Sequence, residues 1–281
     1  MSRKRLAVLG QPVGHSRSPA MHNAALAALG LAGEWVYEAI EVSPREFEAR
    51  VRAMPGDGFV GANVTVPHKR AALEVADEAS HTARGIGAAN TLTFGGGQIA
   101  AENTDATGFL EALPANPAGK RALVLGAGGS ARAVVWALVT NGAEVEIWNR
   151  TPQRAERLAA EVGGSVAKSA GGEGGGAARP ALGVDPFDLI VNATTVGMGG
   201  SSEGAPGLKS LPLDADSMGE RHVLVDLAYG PDETELSSAA RAAGATVVDG
   251  LEVLVRQGAA SLRIWTGQSP PVEIMRRAVR E

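Results

Sequence analysis

The sequence has no cysteine, which excludes disulfides, thiolate zinc sites and cysteine nucleophiles and suits a reducing compartment. Aromatic residues make up only 4% of the chain, so Ala, Val and Leu have to fill most of its core. No apolar run reaches the roughly 18 residues that a membrane span needs. The apolar stretch after the basic start, Leu6 to Leu9, is too short for the hydrophobic region of a signal peptide. We therefore expect a cytoplasmic protein with no membrane partner.

The chain also lacks a basic excess, since 31 Asp and Glu against 26 Lys and Arg give a net charge of −5. Proteins that bind nucleic acid usually carry a basic face, so we expect no nucleic-acid partner. A local cationic site for a phosphate stays compatible with this charge. None of the five histidines forms an i, i+4 pair in zinc-site spacing, so we expect no metal.

Short apolar runs alternate with Ala-rich stretches along the chain, which is typical of an α/β fold with parallel sheets. In the first hundred residues the pattern predicts a β-α-β-α-β unit with a hairpin around residues 95–97. Ser18 is predicted to be a helix N-cap before Pro19, and Ser43 and Glu46 to form a capping box. Residues 59–66 are predicted to be a strand, with Asn63 and Thr65 on one face.

The stretch from Pro114 to Lys120 marks a boundary, and a second series of strands and helices follows it. At about 150 residues per domain, a chain of 281 residues favours two domains. Residues 163–179 are rich in Gly and Ala, and we interpret them as a surface insertion without a site.

A glycine fingerprint, Gly126-Ala127-Gly128-Gly129-Ser130-Ala131, lies directly between a predicted strand and a predicted helix. This G-x-G-x-x-A pattern in this context is typical of dinucleotide binding. Gly126 permits the tight turn, Gly128 lets the backbone approach a pyrophosphate, and Ala131 keeps the helix close to the sheet. The helix N-terminus then offers N–H groups to the phosphates.

The end of the next predicted strand indicates which dinucleotide is bound. NAD sites usually have a carboxylate here for the ribose 2′-hydroxyl, whereas this chain has Asn149-Arg150-Thr151 and then Arg154. A guanidinium pairs well with a 2′-phosphate, so we predict NADP(H). The alternative is that Thr151 only caps its helix, Arg150 is solvated, and Arg154 pairs with Glu156 or Glu161.

Four polar clusters follow predicted strands of the first hundred residues, at the sheet edge where α/β proteins collect ligands. Taken alone, each has a structural explanation: Ser18 as an N-cap, Lys69 as a solvated corner residue, and the Asn and Asp residues as turn formers. The four clusters are His15-Ser16-Arg17-Ser18-Pro19, Asn63-Val64-Thr65-Val66-Pro67-His68-Lys69, Gly87-Ala88-Ala89-Asn90-Thr91 and Glu102-Asn103-Thr104-Asp105.

Taken together and in order, these motifs resemble those of the shikimate dehydrogenase family over nearly the whole chain. The resemblance also includes Leu9-Gly10-Gln11-Pro12, His22-Asn23, Asn192-Ala193-Thr194-Thr195-Val196-Gly197-Met198 and Gln257-Gly258-Ala259. It implies reversible NADPH-dependent reduction of 3-dehydroshikimate to shikimate, a step toward the aromatic amino acids.

The resemblance further implies an N-terminal α/β substrate domain of residues 1–107, to which C-terminal helices in residues 251–281 return. It implies a Rossmann-type, doubly wound parallel-sheet NADP domain of residues 108–250. Lys69 would be the acid/base residue and Asp105 its partner. The implied substrate residues are Ser16, Ser18, Thr65, Lys69, Asn90, Asp105, Tyr229 and Gln257. The implied cofactor residues are Gly126, Ala127, Gly128, Gly129, Ser130, Asn149, Arg150, Thr151, Arg154, Leu227 and Gly250.

Two other functions are compatible with the sequence. One is a quinate/shikimate dehydrogenase of broader specificity, which would prefer NAD and is disfavoured by Asn149-Arg150-Thr151. The other is a non-catalytic regulator that binds NADP or shikimate, which would not need both Lys69 and Asp105. The sequence does not decide which of these two residues transfers the proton, nor whether the chain is a monomer or a homodimer.

Overall fold

The computed structural model describes residues 3–167, 182–198, 207–230 and 232–281. Most of the Gly-rich insertion predicted at residues 163–179 lies outside these residues. The chain divides into two compact units, Met1–Ala112 with Leu251–Glu281, and Leu113–Gly250. Within the described residues, no helix has the length and apolar character needed to cross a membrane.

Strands and helices alternate through both units. The strands are β1 (Lys4–Gly10), β2 (Trp35–Glu41), β3 (Phe59–Val64), β4 (Glu78–Ala79), β5 (Thr91–Gly95), β6 (Gln98–Glu102), β7 (Arg121–Leu125), β8 (Glu144–Trp148), β9 (Ser165–Val166), β10 (Leu189–Asn192), β11 (Val223–Asp226) and β12 (Thr246–Asp249). The helices are α1 (Ser18–Ala28), α2 (Phe47–Ala53), α3 (Lys69–Glu74), α4 (His81–Ile86), α5 (Thr104–Ala112), α6 (Gly129–Thr140), α7 (Pro152–Val162), α8 (Glu235–Ala242), α9 (Gly250–Thr266) and α10 (Val272–Ala278).

The sheet of the first unit is mixed, with the strand order β2-β1-β3-β5-β6-β4. Strand β1 pairs in parallel with β2 and β3, while β5 runs antiparallel to β3 and β6. Because side chains alternate along a strand, β1 contributes to two cores. Leu6 and Val8 pack with residues of α1, α9 and α10, and Ala7 and Leu9 pack with residues of α2, α3 and α4. The C-terminal helices therefore complete the first unit, and the α/β fold class predicted from the sequence is confirmed.

Several predicted element ends in the first unit are wrong. Ser18 lies inside α1, whose N-cap is Arg17, and the Ser18 N–H donates instead to the Ser16 hydroxyl at 3.2 Å. The Ser43 hydroxyl donates to Glu46 Oε2 at 2.5 Å, and neither side chain makes a capping bond to α2, whose N-cap residue is Glu46. Side-chain competition of this kind is open to Ser and Glu at any exposed turn. Strand β3 ends at Val64, two residues before the predicted end.

The sheet of the second unit is parallel throughout, with the order β12-β11-β10-β7-β8-β9. The chain runs outward from β7 through β8 to β9 and then returns to β10 on the other side of β7. The strand order therefore reverses between β7 and β10, as in doubly wound dinucleotide-binding folds. Ligands of such folds bind at the carboxyl ends of the strands at this reversal, which directs attention to the turns after β7 and β10.

His22 is fully buried in the first unit, where its ring stacks on Tyr37 with the ring centroids 4.2 Å apart. Within the part of the chain that the structure describes, neither ring nitrogen has a hydrogen-bond partner. Burial without a partner disfavours the charged ring, and it lowers the pKa of His22 from its ordinary value of 6.5 to about 3. The folded chain therefore holds this imidazole neutral.

We expect acid to destabilise the fold through His22. Between pH 6.5 and about 3 the unfolded chain binds a proton here that the folded chain does not, so the free energy of unfolding falls as the pH falls. Near pH 5 the loss is about 2 kcal/mol. Urea unfolding at several pH values checks this. The His22→Leu variant should lack this component, whereas the variant at exposed His81, His81→Leu, should keep the wild-type slope. Equal slopes for wild type and His22→Leu would contradict the prediction.

Candidate active site

Lys69 and Asp105 form a largely buried ion pair in the first unit. Lys69 is the first residue of α3, which follows β3 after a four-residue turn, and its side chain is 9% exposed. Its Nζ donates to Asp105 Oδ2 at 2.7 Å, and the Asp105 side chain is 17% exposed. Lys69 is therefore not the solvated corner residue that its position alone allowed. A charge-assisted bond of this length orients both groups strongly.

Two amide side chains complete this cluster. Asn90 Nδ2 lies 2.8 Å from the second carboxylate oxygen of Asp105 and 3.1 Å from Gln257 Oε1. Gln257 lies on α9, and its own Nε2 donates to Leu254 O at 2.9 Å. Four of the residues singled out in the sequence, which are up to 188 positions apart between Lys69 and Gln257, thus lie together. We call Lys69, Asn90, Asp105 and Gln257 the polar tetrad.

Asp105 is held by a helix that the sequence did not reveal. Residues Asn103-Thr104-Asp105 have turn-like composition, yet α5 begins at Thr104. The Asp105 N–H donates to the Asn103 side-chain oxygen at 3.1 Å, and Asn103 Nδ2 donates to Ala88 O at 2.9 Å. Asn103 thus ties the start of α5 to the segment before Asn90. A carboxylate at a helix N-terminus is also favoured by the helix dipole.

Ser16, Ser18 and Thr65 occupy other corners of the first unit. Ser16 Oγ accepts the Ser18 N–H at 3.2 Å at the start of α1, and Ser18 is buried. Thr65 follows β3, and its N–H donates to Leu9 O at 2.8 Å. A Cβ built on Gly10 would lie 2.4 Å from the Thr65 methyl carbon, so glycine is required there for Thr65 to sit against β1. Tyr229 belongs to the second unit, after β11.

The glycine fingerprint forms the turn from β7 to α6. Gly126 has φ +117°, which favours glycine, and a Cβ built there would lie 2.7 Å from Ala193 O in the turn after β10. Gly128 precedes α6, and a Cβ built on it meets no described atom within 4 Å. Ala131 is fully buried, so the helix approaches the sheet closely. The backbone at Gly128 is therefore open to a pyrophosphate, and the N-terminus of α6 supplies favourable dipole ends.

Arg150 and Arg154, which follow β8 in the chain, are both exposed. Asn149 Nδ2 donates to Thr151 O at 2.9 Å. The predicted capping by Thr151 is not observed among the described contacts, although Thr151 is the N-cap residue of α7. The alternative that Arg154 pairs with Glu161 is also wrong, because Glu161 Oε2 pairs with Arg132 Nη1 at 2.7 Å. These residues fit a 2′-phosphate, since two guanidinium groups lie on this corner and that carboxylate is occupied elsewhere.

Leu227 and Gly250 flank a buried carboxylate that sequence reasoning missed. Asp226 is fully buried at the end of β11 and accepts from Asn192 Nδ2 at 2.8 Å and from the Ala228 N–H at 3.1 Å. Its other oxygen accepts from the hydroxyls of Thr234 and Ser237. Burial raises the pKa of the Asp226 carboxyl, and these hydrogen bonds oppose that rise. The sequence signal for this carboxylate was the motif that begins at Asn192, because a buried Asn side chain needs hydrogen-bond partners.

Asp226 thus joins the turns after β10 and β11. The Leu227 N–H donates to Asn192 O at 2.9 Å, and Asn192 Oδ1 accepts from Thr194. A Cβ built on Gly250 would lie 2.7 Å from Leu227 O, so only glycine allows α9 to begin this close to the turn. Within the residues that the structure describes, no group of three His, Asp or Glu side chains is arranged to hold a metal.

Family models match most of the chain. Residues 8–92 match the substrate binding domain of shikimate dehydrogenase, and residues 111–170 match the shikimate / quinate 5-dehydrogenase model. Residues 250–280 match the shikimate 5′-dehydrogenase C-terminal domain. The polar tetrad residues Lys69 and Asn90 lie in the first of these regions, Gln257 lies in the third, and the glycine turn lies in the second.

Similar proteins cover nearly the whole chain. The shikimate dehydrogenase (NADP+) of Methanopyrus kandleri is 45% identical over 98% of this chain and 94% of its own. A crystal structure of the Thermus thermophilus shikimate 5-dehydrogenase with NADP(H) and shikimate has a TM-score of 0.83 at 41% identity, covering 99% of this chain and 98% of that one. A 5-ketofructose reductase of Gluconobacter has the same TM-score, 0.83, at 30% identity, covering 99% and 98%. The chain therefore belongs to the shikimate dehydrogenase family.

Proposed function

We propose that this chain catalyses the reversible NADPH-dependent reduction of 3-dehydroshikimate to shikimate. The observation that carries the proposal is the buried Lys69–Asp105 pair, with Asn90 and Gln257 beside it. Reduction of a ketone needs a hydride for the carbonyl carbon and a proton for the carbonyl oxygen. NADPH supplies the hydride when it is bound, so the chain has to supply the proton, the orientation and the exclusion of water.

We assign the proton transfer to Lys69. Its Nζ carries protons, is shielded from bulk water, and is held in place by Asp105 Oδ2 at 2.7 Å. As an ammonium, Lys69 donates a proton to the oxygen on which negative charge develops, and as an amine it accepts that proton in the reverse direction. A positioned acid/base group of this kind contributes about 10²- to 10⁴-fold to the rate. Asp105 orients Lys69 through this bond.

The remaining polar groups bind the substrate in this proposal. Ser16 and Ser18 lie two residues apart at the start of α1, so their hydroxyls can donate to one carboxylate. Asn90, Asp105 and Gln257 offer donors and acceptors to ring hydroxyls. The roles of Thr65 and Tyr229 in holding the substrate stay predictions from the resemblance.

The second unit binds NADP(H) in this proposal. The residues of the glycine turn, Gly126, Ala127, Gly128, Gly129 and Ser130, receive the pyrophosphate at the start of α6. Arg150 and Arg154, beside Asn149 and Thr151, receive the 2′-phosphate. Leu227 and Gly250 line the nicotinamide side. The open backbone at Gly128 and the engagement of Glu161 with Arg132 support these assignments.

Absorbance of reduced nicotinamide tests the function in four reactions: shikimate or quinate, each with NADP+ or NAD+. We expect rapid reduction of NADP+ by shikimate. The kcat/KM of the other three reactions should be at least about tenfold lower, which corresponds to about 1.4 kcal/mol of discrimination. Comparable rates with quinate and NAD+ would favour the broader quinate/shikimate dehydrogenase. No turnover despite NADP+ binding would favour the regulator. Reduction of 5-ketofructose by NADPH, as the name of the Gluconobacter relative suggests, is the fifth reaction to test.

A further inference from the structure

A layer of buried polar side chains lies behind the polar tetrad. It consists of Tyr37, Asn63, Thr91, Thr104 and Ser261, each no more than 5% exposed. These residues come from β2, β3, β5, α5 and α9, so the layer joins five elements of the first unit. Buried polar groups are costly unless they are all hydrogen-bonded, and a fully bonded network specifies one arrangement. We call these five residues the polar layer.

Ser261 is the centre of the polar layer. Its Oγ lies 2.9 Å from Asn63 Nδ2, 3.0 Å from Thr91 Oγ1 and 3.1 Å from Thr104 Oγ1. The Gln257 main-chain oxygen, one helical turn earlier, lies 3.0 Å from the same Oγ and is a further acceptor for its proton. The hydroxyl has one proton to donate, so it accepts from the Asn63 amide while it donates to a neighbour. One fully buried oxygen thus fixes α9 against β3, β5 and α5.

The polar layer determines which way the Asn90 amide points. Asn90 Oδ1 accepts from the Thr104 N–H at 2.8 Å and from Thr91 Oγ1 at 3.0 Å. Because a main-chain N–H can only donate, the amide oxygen has to face the Thr104 N–H, and Nδ2 faces Asp105, Gln257 and the Thr104 hydroxyl. Asn63 Nδ2 adds a bond to the Asn90 main-chain oxygen at 3.1 Å. Tyr37 fixes the orientation of Asn63 by donating to its Oδ1 at 2.7 Å.

We propose that Ser261 is a positioning residue for the reaction: through Thr91, Thr104 and Asn63 it holds the Asn90 amide with its nitrogen on Asp105. Without the Ser261 hydroxyl, Asn63 Nδ2 loses an acceptor, and Thr91 and Thr104 lose a shared partner and keep each other, with their Oγ1 atoms 3.2 Å apart. Both threonine hydroxyls contact the Asn90 side chain, so their movement displaces the amide from Asp105. Asp105 then loses a fixed donor, and Lys69 loses its fixed position. This inference rests on the proposed function for its effect on turnover.

The test compares wild type with Ser261→Ala and with Thr266→Ala as a matched control. Thr266 lies on the same helix and makes the same kind of bond to a carbonyl four residues earlier, Leu262 O at 2.7 Å, outside the polar layer. We expect Ser261→Ala to lower kcat with shikimate about tenfold, the loss of one hydrogen bond's worth of positioning, with the KM for NADP+ unchanged. Thr266→Ala should lower the melting temperature less, because Thr266 is only half-buried, and should leave kcat unchanged.

A second pair of variants separates the effect of the hydroxyl from the effect of side-chain volume. Thr91→Val removes the donor to Asn90 Oδ1 at nearly constant volume and should lower kcat like Ser261→Ala, whereas Thr91→Ser should restore it. Unchanged kcat in folded Ser261→Ala, or an equal loss in Thr266→Ala, would overturn the inference. If wild type fails to oxidise shikimate, the proposed function fails, and a crystal structure of Ser261→Ala decides the inference. An Asn90 Nδ2 displaced from Asp105 supports it, and an unchanged Asn90–Asp105 distance refutes it.

Discussion

The Lys69→Ala variant is expected to lose about 10²- to 10⁴-fold in kcat for shikimate oxidation while it still binds NADP+. Lys69 Nζ is the proton-carrying group of the polar tetrad, and its 2.7 Å bond to Asp105 fixes it in a nearly dry position. Water can supply a proton in place of Lys69, but it is not held in a fixed orientation, so the residual rate should be small. Steady-state kinetics give kcat, and fluorescence titration with NADPH gives the cofactor affinity.

Two further variants exclude a merely structural effect of Lys69→Ala. Removing one partner of a buried ion pair destabilises a protein by about 3–5 kcal/mol, so the variant should also unfold at a lower temperature. Lys69→Met keeps the packing of the aliphatic stem and should lose as much activity as Lys69→Ala. Lys4→Ala, at an exposed lysine of the same unit that lies over the Trp35 ring, should retain full turnover. Turnover in Lys69→Met within a few-fold of wild type would remove Lys69 from the mechanism.

The parts of the fold that local patterns determine could be predicted from the sequence. Gly126 to Ala131 lies between an apolar run and an Ala-rich stretch, and both the turn and the doubly wound sheet are confirmed. Glycine is a strong local signal at this turn, because few other residues adopt the φ of +117° that Gly126 has. The helix α5 was missed because Asn103-Thr104-Asp105 resembles a turn, and only tertiary contacts with Ala88 and Asn90 make it the start of a helix.

Polar residues with several possible partners were the least predictable. Ser18 and Ser43 are typical capping residues, yet the Ser18 N–H bonds to Ser16 and the Ser43 hydroxyl bonds to Glu46. Glu161 pairs with Arg132 on α6 and not with Arg154. These choices depend on which elements meet, and the sequence does not contain that distance information. For the same reason, the polar layer around Ser261 could not be anticipated, because Ser261 is 198 residues away from Asn63 in the chain.

The Arg150→Asp variant is expected to raise the KM for NADP+ by about 10- to 100-fold, since a hydrogen bond to a charged group contributes about 1.5–3 kcal/mol. Arg150 is exposed directly after β8, at the position where a carboxylate selects the 2′-hydroxyl of NAD. The substitution removes a cation from the 2′-phosphate and places an anion there. The KM for NAD+ should stay constant or fall, because an aspartate can accept a hydrogen bond from the ribose.

The control for this prediction is Arg157→Asp, which makes the same change of charge on the exposed face of α7. A general electrostatic effect of the second unit would raise the KM for NADP+ in both variants, and it would shrink at high ionic strength, where exposed charges are screened. A direct contact predicts a large effect only in Arg150→Asp. Equal changes in the KM values for NADP+ and NAD+ in Arg150→Asp would refute the assignment of the 2′-phosphate to this corner. In that case Arg154, whose alternative partner Glu161 is engaged by Arg132, becomes the residue to substitute next.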